Sequence, residues 1–183
     1  MPDPSQLAIS MIEQSHDRVL ENLAEVSLDE ALFVPVGGYR SALGTLKHIA
    51  AWSHVYRSYA FDAKPRHWKD VDWPRGLRDT IIKSEDYFAE LKAWLIQAKQ
   101  GWIGDLRELE ASQLDELRLL HWGERRSTMG IVYAISAHNL YHTGELNQVL
   151  SICRGEAWEE GEEVEENNVS TEGHRVRPPW LDQ

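Results

Sequence analysis

The chain has 183 residues, of which 42% are hydrophobic and eight are tryptophan, enough apolar mass for one domain with a sizeable core. Its net charge of −11 argues against non-specific nucleic-acid binding, which needs clustered Lys and Arg to displace counterions. No run approaches the ~20 apolar residues that span a bilayer, the opening Met1-Pro-Asp-Pro-Ser5 lacks a basic and apolar signal segment, and the single cysteine, Cys153, excludes an internal disulfide framework. A cytoplasmic protein is expected.

Asp3 followed by Pro4 is a helix start, and Ala8, Met11, Ile12, Ser15, Val19, Leu23 and Val26 keep helical time to about residue 26. Ser27-Leu-Asp-Glu30 is a capping-box pattern that opens a short helical turn before Pro35 and Gly37-Gly38 interrupt it. A second long helix starts near Ser41 and is ended by Asp62 to Pro65. In the loop that follows, Trp68 and Trp73 either cover one end of the molecule or line a pocket mouth. From Leu77 the pattern Ile81, Tyr87, Phe88, Leu91, Leu95, Ala98, Trp102, Leu106 and Leu109 predicts one long helix, bent at Gly101. Residues 117–128 read as a small hairpin turning at Gly123. A fourth helix then carries Ile131, Ile135, His138, His142, Leu146, Val149 and Cys153 at intervals of three and four.

Four long amphipathic helices with little strand make an all-α four-helix bundle, predicted to occupy residues 1–154. Residues 155–183 read as a separate acidic extension, with nine acidic residues against Arg175 and Arg177. Glu159 to Glu166 has no apolar face and reads as a solvated tail. Val176-Arg-Pro-Pro-Trp-Leu181 fits either a rigid docked strap or a disordered terminus.

His138 and His142 stand four residues apart, which puts both side chains on one helix face. They occupy positions of the core stripe that packing would give to Leu or Val. Burying an unpartnered imidazole costs on the order of 1–3 kcal/mol. Either a metal or a buried hydrogen-bond network would compensate. On the second long helix, Gly44, Thr45, His48, Ala51, Trp52, Val55 and Tyr59 share one side, whereas His54 falls with Lys47 and Ser58 on a more polar one. Periodicity therefore selects His48 as the third inward histidine. Cys153 lies on the stripe of the last helix, where a free cysteine acts as a small hydrophobe.

A histidine in Leu46-Lys-His-Ile-Ala50, followed by His138-Asn-Leu-Tyr-His-Thr-Gly-Glu-Leu-Asn-Gln148 in the last helix, resembles the DinB-like (DinB/YfiT-type) family of candidate metalloenzymes. The resemblance runs over about residues 5–154. It implies a bundle with a variant order of helices, often a homodimer, in which His48, His138 and His142 hold one divalent metal ion, zinc or nickel. Many relatives carry glutamine where this chain has Glu145, outside the ligand set.

Three neutral imidazoles leave a tetrahedral metal one open position, the arrangement of catalytic rather than structural sites. A water there would have its pKa lowered toward ~7, and a thiol would be held as thiolate. Hydrolysis and thiol transfer fit equally. Glu145 is the candidate catalytic residue, able to orient a ligand or take a proton. Tyr141, Trp52 and Asn139 flank the ligands; His54 and His121 are read as incidental. A di-iron bundle needs two ExxH motifs, and Glu13-Gln-Ser-His16 is the one match, as chance would supply. The chain lacks HExxH, Gly-rich phosphate-loop and GxSxG patterns.

The function expected is a metal-dependent hydrolase or thiol transferase acting on a small molecule, the thiol being of low molecular weight as the resemblance implies. The alternative is a non-catalytic metal-binding or stress-response protein. Neither nucleic acid nor membrane is an expected partner.

Overall fold

The computed structural model describes residues 3–38, 40–70 and 84–155. Helix α1 (Pro4–Asn22) starts as expected, with Asp3 accepting the Ser5 amide at 3.0 Å and proline in the first turn. It ends before the hydrophobic pattern does, because Leu23 and Val26 stay buried in the segment beyond it. The Ser27 capping box opens α2 (Leu28–Leu32), with the Glu30 carboxylate accepting the Ser27 amide at 2.8 Å. Ser41, Ser84 and Ser127 cap the next three helices through the hydroxyl alone, accepting the amides of Gly44, Tyr87 and Gly130: α3 (Ala42–Phe61), α4 (Glu85–Glu108) and α5 (Thr128–Arg154). Gly155, at φ 67°, closes α5 in the left-handed conformation that glycine adopts without strain.

Helix α4 begins at Glu85 rather than near Leu77, because the Ser84 side chain caps the Tyr87 amide and its backbone is extended. Leu77 and Ile81 lie outside the described residues, as do Trp73 and the acidic tail from residue 156. At Gly101 α4 runs on unbroken. A Cβ there would meet the Arg57 guanidinium at 2.8 Å, so the glycine makes room for Arg57 to cross from α3 to Asp105, 2.7 Å away. The expected hairpin pairs β1 (Leu117–Leu119) with β2 (Arg125–Ser127), Arg118 opposite Arg126, and turns through Gly123 at φ 87°.

The long helices pack α1 against α4 and α5, and α3 against the same two. The first two long helices are therefore diagonal partners, the variant order that the sequence resemblance implies. Their shared interior holds Trp102, Tyr59, Tyr87, Phe88, Ile12, Leu46, Leu91 and Leu95, all fully buried. In it sits a polar centre joining all four helices. His16 of α1 donates from Nδ1 to the Ile12 carbonyl at 2.8 Å, which leaves Nε2 to accept the Ser53 hydroxyl of α3 at 3.2 Å. Trp102 of α4 donates to the Ser53 carbonyl at 3.0 Å, and the Asn139 amide nitrogen of α5 lies 3.5 Å from His16 Nε2. Burial holds the His16 imidazole neutral, its pKa pushed down to about 4. Among the described residues no helix is long and apolar enough to cross a membrane.

Candidate metal centre

Helices α3 and α5 meet along one seam, and the three histidines lie on it. His48 follows the first turn of α3, while His138 and His142 occupy the middle of α5. A Cβ on Gly44 would sit 2.8 Å from Arg40 Cγ, so the glycine lets the Arg40 side chain lie along that first turn. The Arg40 charge then reaches both His48 and His138.

The core stripe of α5 is rotated from the one expected. Ile131, Val132, Ile135, Asn139, His142, Leu146 and Leu150 are buried, whereas His138, Val149 and Cys153 are only partly so. The cause is that α5 packs against α1 as well as α3, so its buried face turns toward α1. His142 is 7% exposed; His48 and His138 are half-buried at the edge, where the seam meets solvent.

One ring nitrogen from each of His48, His138 and His142 lies within 4.8 Å of the other two. The ring centroids are 4.5 Å (His138–His142), 4.7 Å (His48–His142) and 5.1 Å (His48–His138) apart. Nε2 of His48 faces Nε2 of His138 at 3.1 Å. Two nitrogens on a tetrahedral zinc, each at 2.0–2.1 Å, stand about 3.3 Å apart, so this pair is spaced to share an ion. Glu145 Oε2 accepts a hydrogen bond from His142 Nδ1 at 2.6 Å, which puts a proton on Nδ1 and makes Nε2 the nitrogen that could face a metal. The same carboxylate bonds to the Tyr141 hydroxyl, raising that phenol's pKa.

Electrostatics favour neutral imidazoles at His48 and His138. Burial, with the Arg40 charge and the two neighbouring rings, lowers His48 to about 3. Burial and His142 lower His138 to about 4 against a contact with Asn139. A cluster of three imidazoles with converging nitrogens could hold a metal ion, and the donor set suits several first-row divalent metals.

The other sequence candidates are spread around this cluster. Trp52 meets His48 edge-on at 6.2 Å, and Tyr141 meets His142 at 5.0 Å. Asn139 is fully buried, its Oδ1 3.4 Å from His138 Nδ1. His54 is used elsewhere, stacked on Trp94 at 4.6 Å and bonded to that residue's carbonyl at 3.2 Å. His121 hydrogen-bonds Tyr59 instead of approaching the cluster. Ser58, expected on a polar side, is buried and accepts the Arg66 amide at 2.6 Å.

Sequence reasoning missed three neighbours. Tyr56 lies 6.4 Å from His138, and its position four residues after Trp52 on the His48 face was a usable signal. Trp122 follows at 6.4 Å from Tyr56, brought there by the hairpin, and Arg40 by the chain entering α3; neither carries a periodicity signal.

Residues 11–146 match the family model described as the DinB superfamily. Two solved structures share the fold. A DinB-like protein (YjoA) from Bacillus subtilis aligns with a TM-score of 0.59 at 16% identity, covering 81% of this chain and 92% of that one. A conserved protein from Enterococcus faecalis aligns with a TM-score of 0.60 at 15% identity, covering 82% and 97%. No curated protein matches the sequence. The chain belongs to the DinB superfamily.

Proposed function

We propose that this protein is a divalent-metal-dependent enzyme acting on a small molecule, with His48, His138 and His142 as the ligands of one zinc or nickel ion. The observation that carries the reading is the convergence of three ring nitrogens within 4.8 Å on a seam that reaches the surface. Within the described residues the cluster contains three ligating side chains, the number typical of catalytic rather than closed structural zinc sites. A bound metal would supply Lewis acidity, lowering the pKa of a coordinated water or thiol so that either is nucleophilic near neutral pH.

The chain's own residues do the rest. His48 and His138 present neutral lone pairs at pH 7, because their environment holds both pKa values well below 6.5. Glu145 fixes the tautomer and tilt of His142 through the 2.6 Å hydrogen bond, which supports an orienting role rather than proton transfer. The Arg40 cation stands beside the ligands, where it favours an anionic substrate group or developing negative charge. Hydrolysis and transfer of a low-molecular-weight thiol both use this arrangement.

Cobalt loading tests the reading, because cobalt(II) takes zinc sites and its visible spectrum reports coordination. The expected result is a tetrahedral spectrum that changes when a small thiol is added, with a new sulfur-to-cobalt charge-transfer band. A spectrum indifferent to added thiol and to azide would mean a closed coordination shell, and the protein would be a metal-stabilised binding module.

A further inference from the structure

Beside the three histidines, on the side of the hairpin, the described residues form a continuous row of rings. Trp52 packs edge-on to Tyr56 at 5.8 Å, and Tyr56 leads from His138 to Trp122 in two steps of 6.4 Å. Trp122 is 45% exposed, yet it is fixed. Its indole N–H donates to Glu124 at 2.9 Å, Arg126 holds the other oxygen of that carboxylate at 2.8 Å, and the fully buried Tyr59 backs the ring at 5.9 Å and 89°. Tyr59 is itself hydrogen-bonded to His121, whose ring packs edge-on against Trp122 at 4.8 Å.

A large half-exposed aromatic normally gains nothing from being held in one orientation by an ion pair and a buried tyrosine. Here those contacts already hold the ring in one orientation, so a flat partner would lose little entropy on binding. Rings prefer offset or edge contacts at 4.5–7 Å, the range of every step along this row. The ring faces of this wall suit planar apolar groups, and among the described residues its polar groups, the Tyr56 hydroxyl and the Glu124–Arg126 pair, stand at the ring edges, the pair already hydrogen-bonded to each other and to Trp122.

We infer that this wall selects the substrate class: the site takes a molecule whose reacting group lies at the three histidines and whose body is a flat conjugated ring seated against Tyr56 and Trp122. The inference rests on the metal-enzyme reading of the histidines and adds to it the shape and polarity of the substrate. Trp122 and Tyr56 act as specificity residues, reached by a substrate that extends two ring lengths from the ligands.

The test uses the full chain loaded with zinc and two probes sharing one metal-chelating head, acetohydroxamate and 4-phenylbenzohydroxamate, titrated calorimetrically. The biphenyl probe is expected to bind about 10-fold tighter or more. Trp122→Ala and Tyr56→Leu should each shrink the ratio between the two probes by about threefold, with zinc still bound one per chain, and Trp122→Phe should restore it. Equal affinities in the wild type, or a preference that survives both replacements, would overturn the inference while leaving the metal site standing. Failure of the wild type to take up zinc would remove the metal reading and the inference together.

Discussion

Two polar centres adjoin each other along α5, one around His16 at Asn139 and one of three histidines at His138, and they treat imidazole in opposite ways. In the bundle centre His16 is fully buried, and the protein satisfies both ring nitrogens, one with the Ile12 carbonyl and the other with the Ser53 hydroxyl. At the seam, His48 and His138 are only half-buried and turn their Nε2 atoms toward each other at 3.1 Å, while Glu145 accepts a hydrogen bond from His142 Nδ1. The first cluster is complete without a ligand and contributes stability. The second is a set of lone pairs that a cation would complete. Burial alone does not separate a structural histidine from a ligand, since the most buried histidine among the described residues is the structural one. What separates them is where the second ring nitrogen points.

The comparison breaks most visibly at the ligands. His138→Ala should lower metal affinity by more than ~100-fold, beyond the 10–100-fold typical of residues that only support ligands. His54→Ala, which removes a ring stacked on Trp94, should leave it nearly unchanged. Calorimetric zinc titration of both variants checks this, and equal loss in the two would mean that the wrong histidines have been chosen.

The central cluster should answer in stability instead. His16→Ala leaves a cavity and an unpartnered Ser53 hydroxyl, and should cost about 3 kcal/mol at pH 7 by urea unfolding of metal-free protein, while the variant still binds one zinc per chain. Its pH dependence has a definite sign. The folded pKa of His16, about 4, lies below the ordinary 6.5, so the unfolded chain binds more protons between these values. The stability that neutral His16 contributes is complete above pH 6.5 and is lost as pH falls toward 4. The cost of His16→Ala should therefore shrink by about 2 kcal/mol between pH 7 and pH 5. A cost independent of pH would mean that His16 titrates in the folded protein as it does in the unfolded chain.

Glu145→Gln sharpens the comparison with the smallest effect. It should weaken zinc binding about 10-fold and change the stability of the metal-free protein by less than about 0.5 kcal/mol, because the carboxylate is partly exposed. An unchanged affinity would deny Glu145 the role of orienting His142.

Local signals carried much of this architecture into the sequence. Asp3-Pro4 and the Ser27–Glu30 box are hydrogen-bonded caps, and Gly123 supplies the positive φ of the hairpin turn; each depends only on near neighbours. The choice of His48 over His54 also follows from one helix alone; His48 joins the cluster, while His54 stacks on Trp94. His16 was hidden for a different reason. It stands between Ile12 and Val19 on the buried face of α1, but an ExxH judged as a metal motif says nothing about a partner on a diagonal helix. The phase of α5 was read from its own residues, whereas its buried face is set by two neighbours, which moved Leu150 into the core and Val149 and Cys153 toward its margin. The wall beyond Tyr56 depends on the hairpin folding back over α3, a long-range event without a local pattern.

The account's central claim is that the seam cluster is a metal site, and the most direct measurement is elemental analysis of the protein purified without a histidine tag, beside a His48→Ala/His142→Ala double variant. About one zinc or nickel per chain in the wild type and none in the variant is the result expected. A wild type that holds no metal even after reconstitution would contradict the claim and leave all three histidines as core or relic residues.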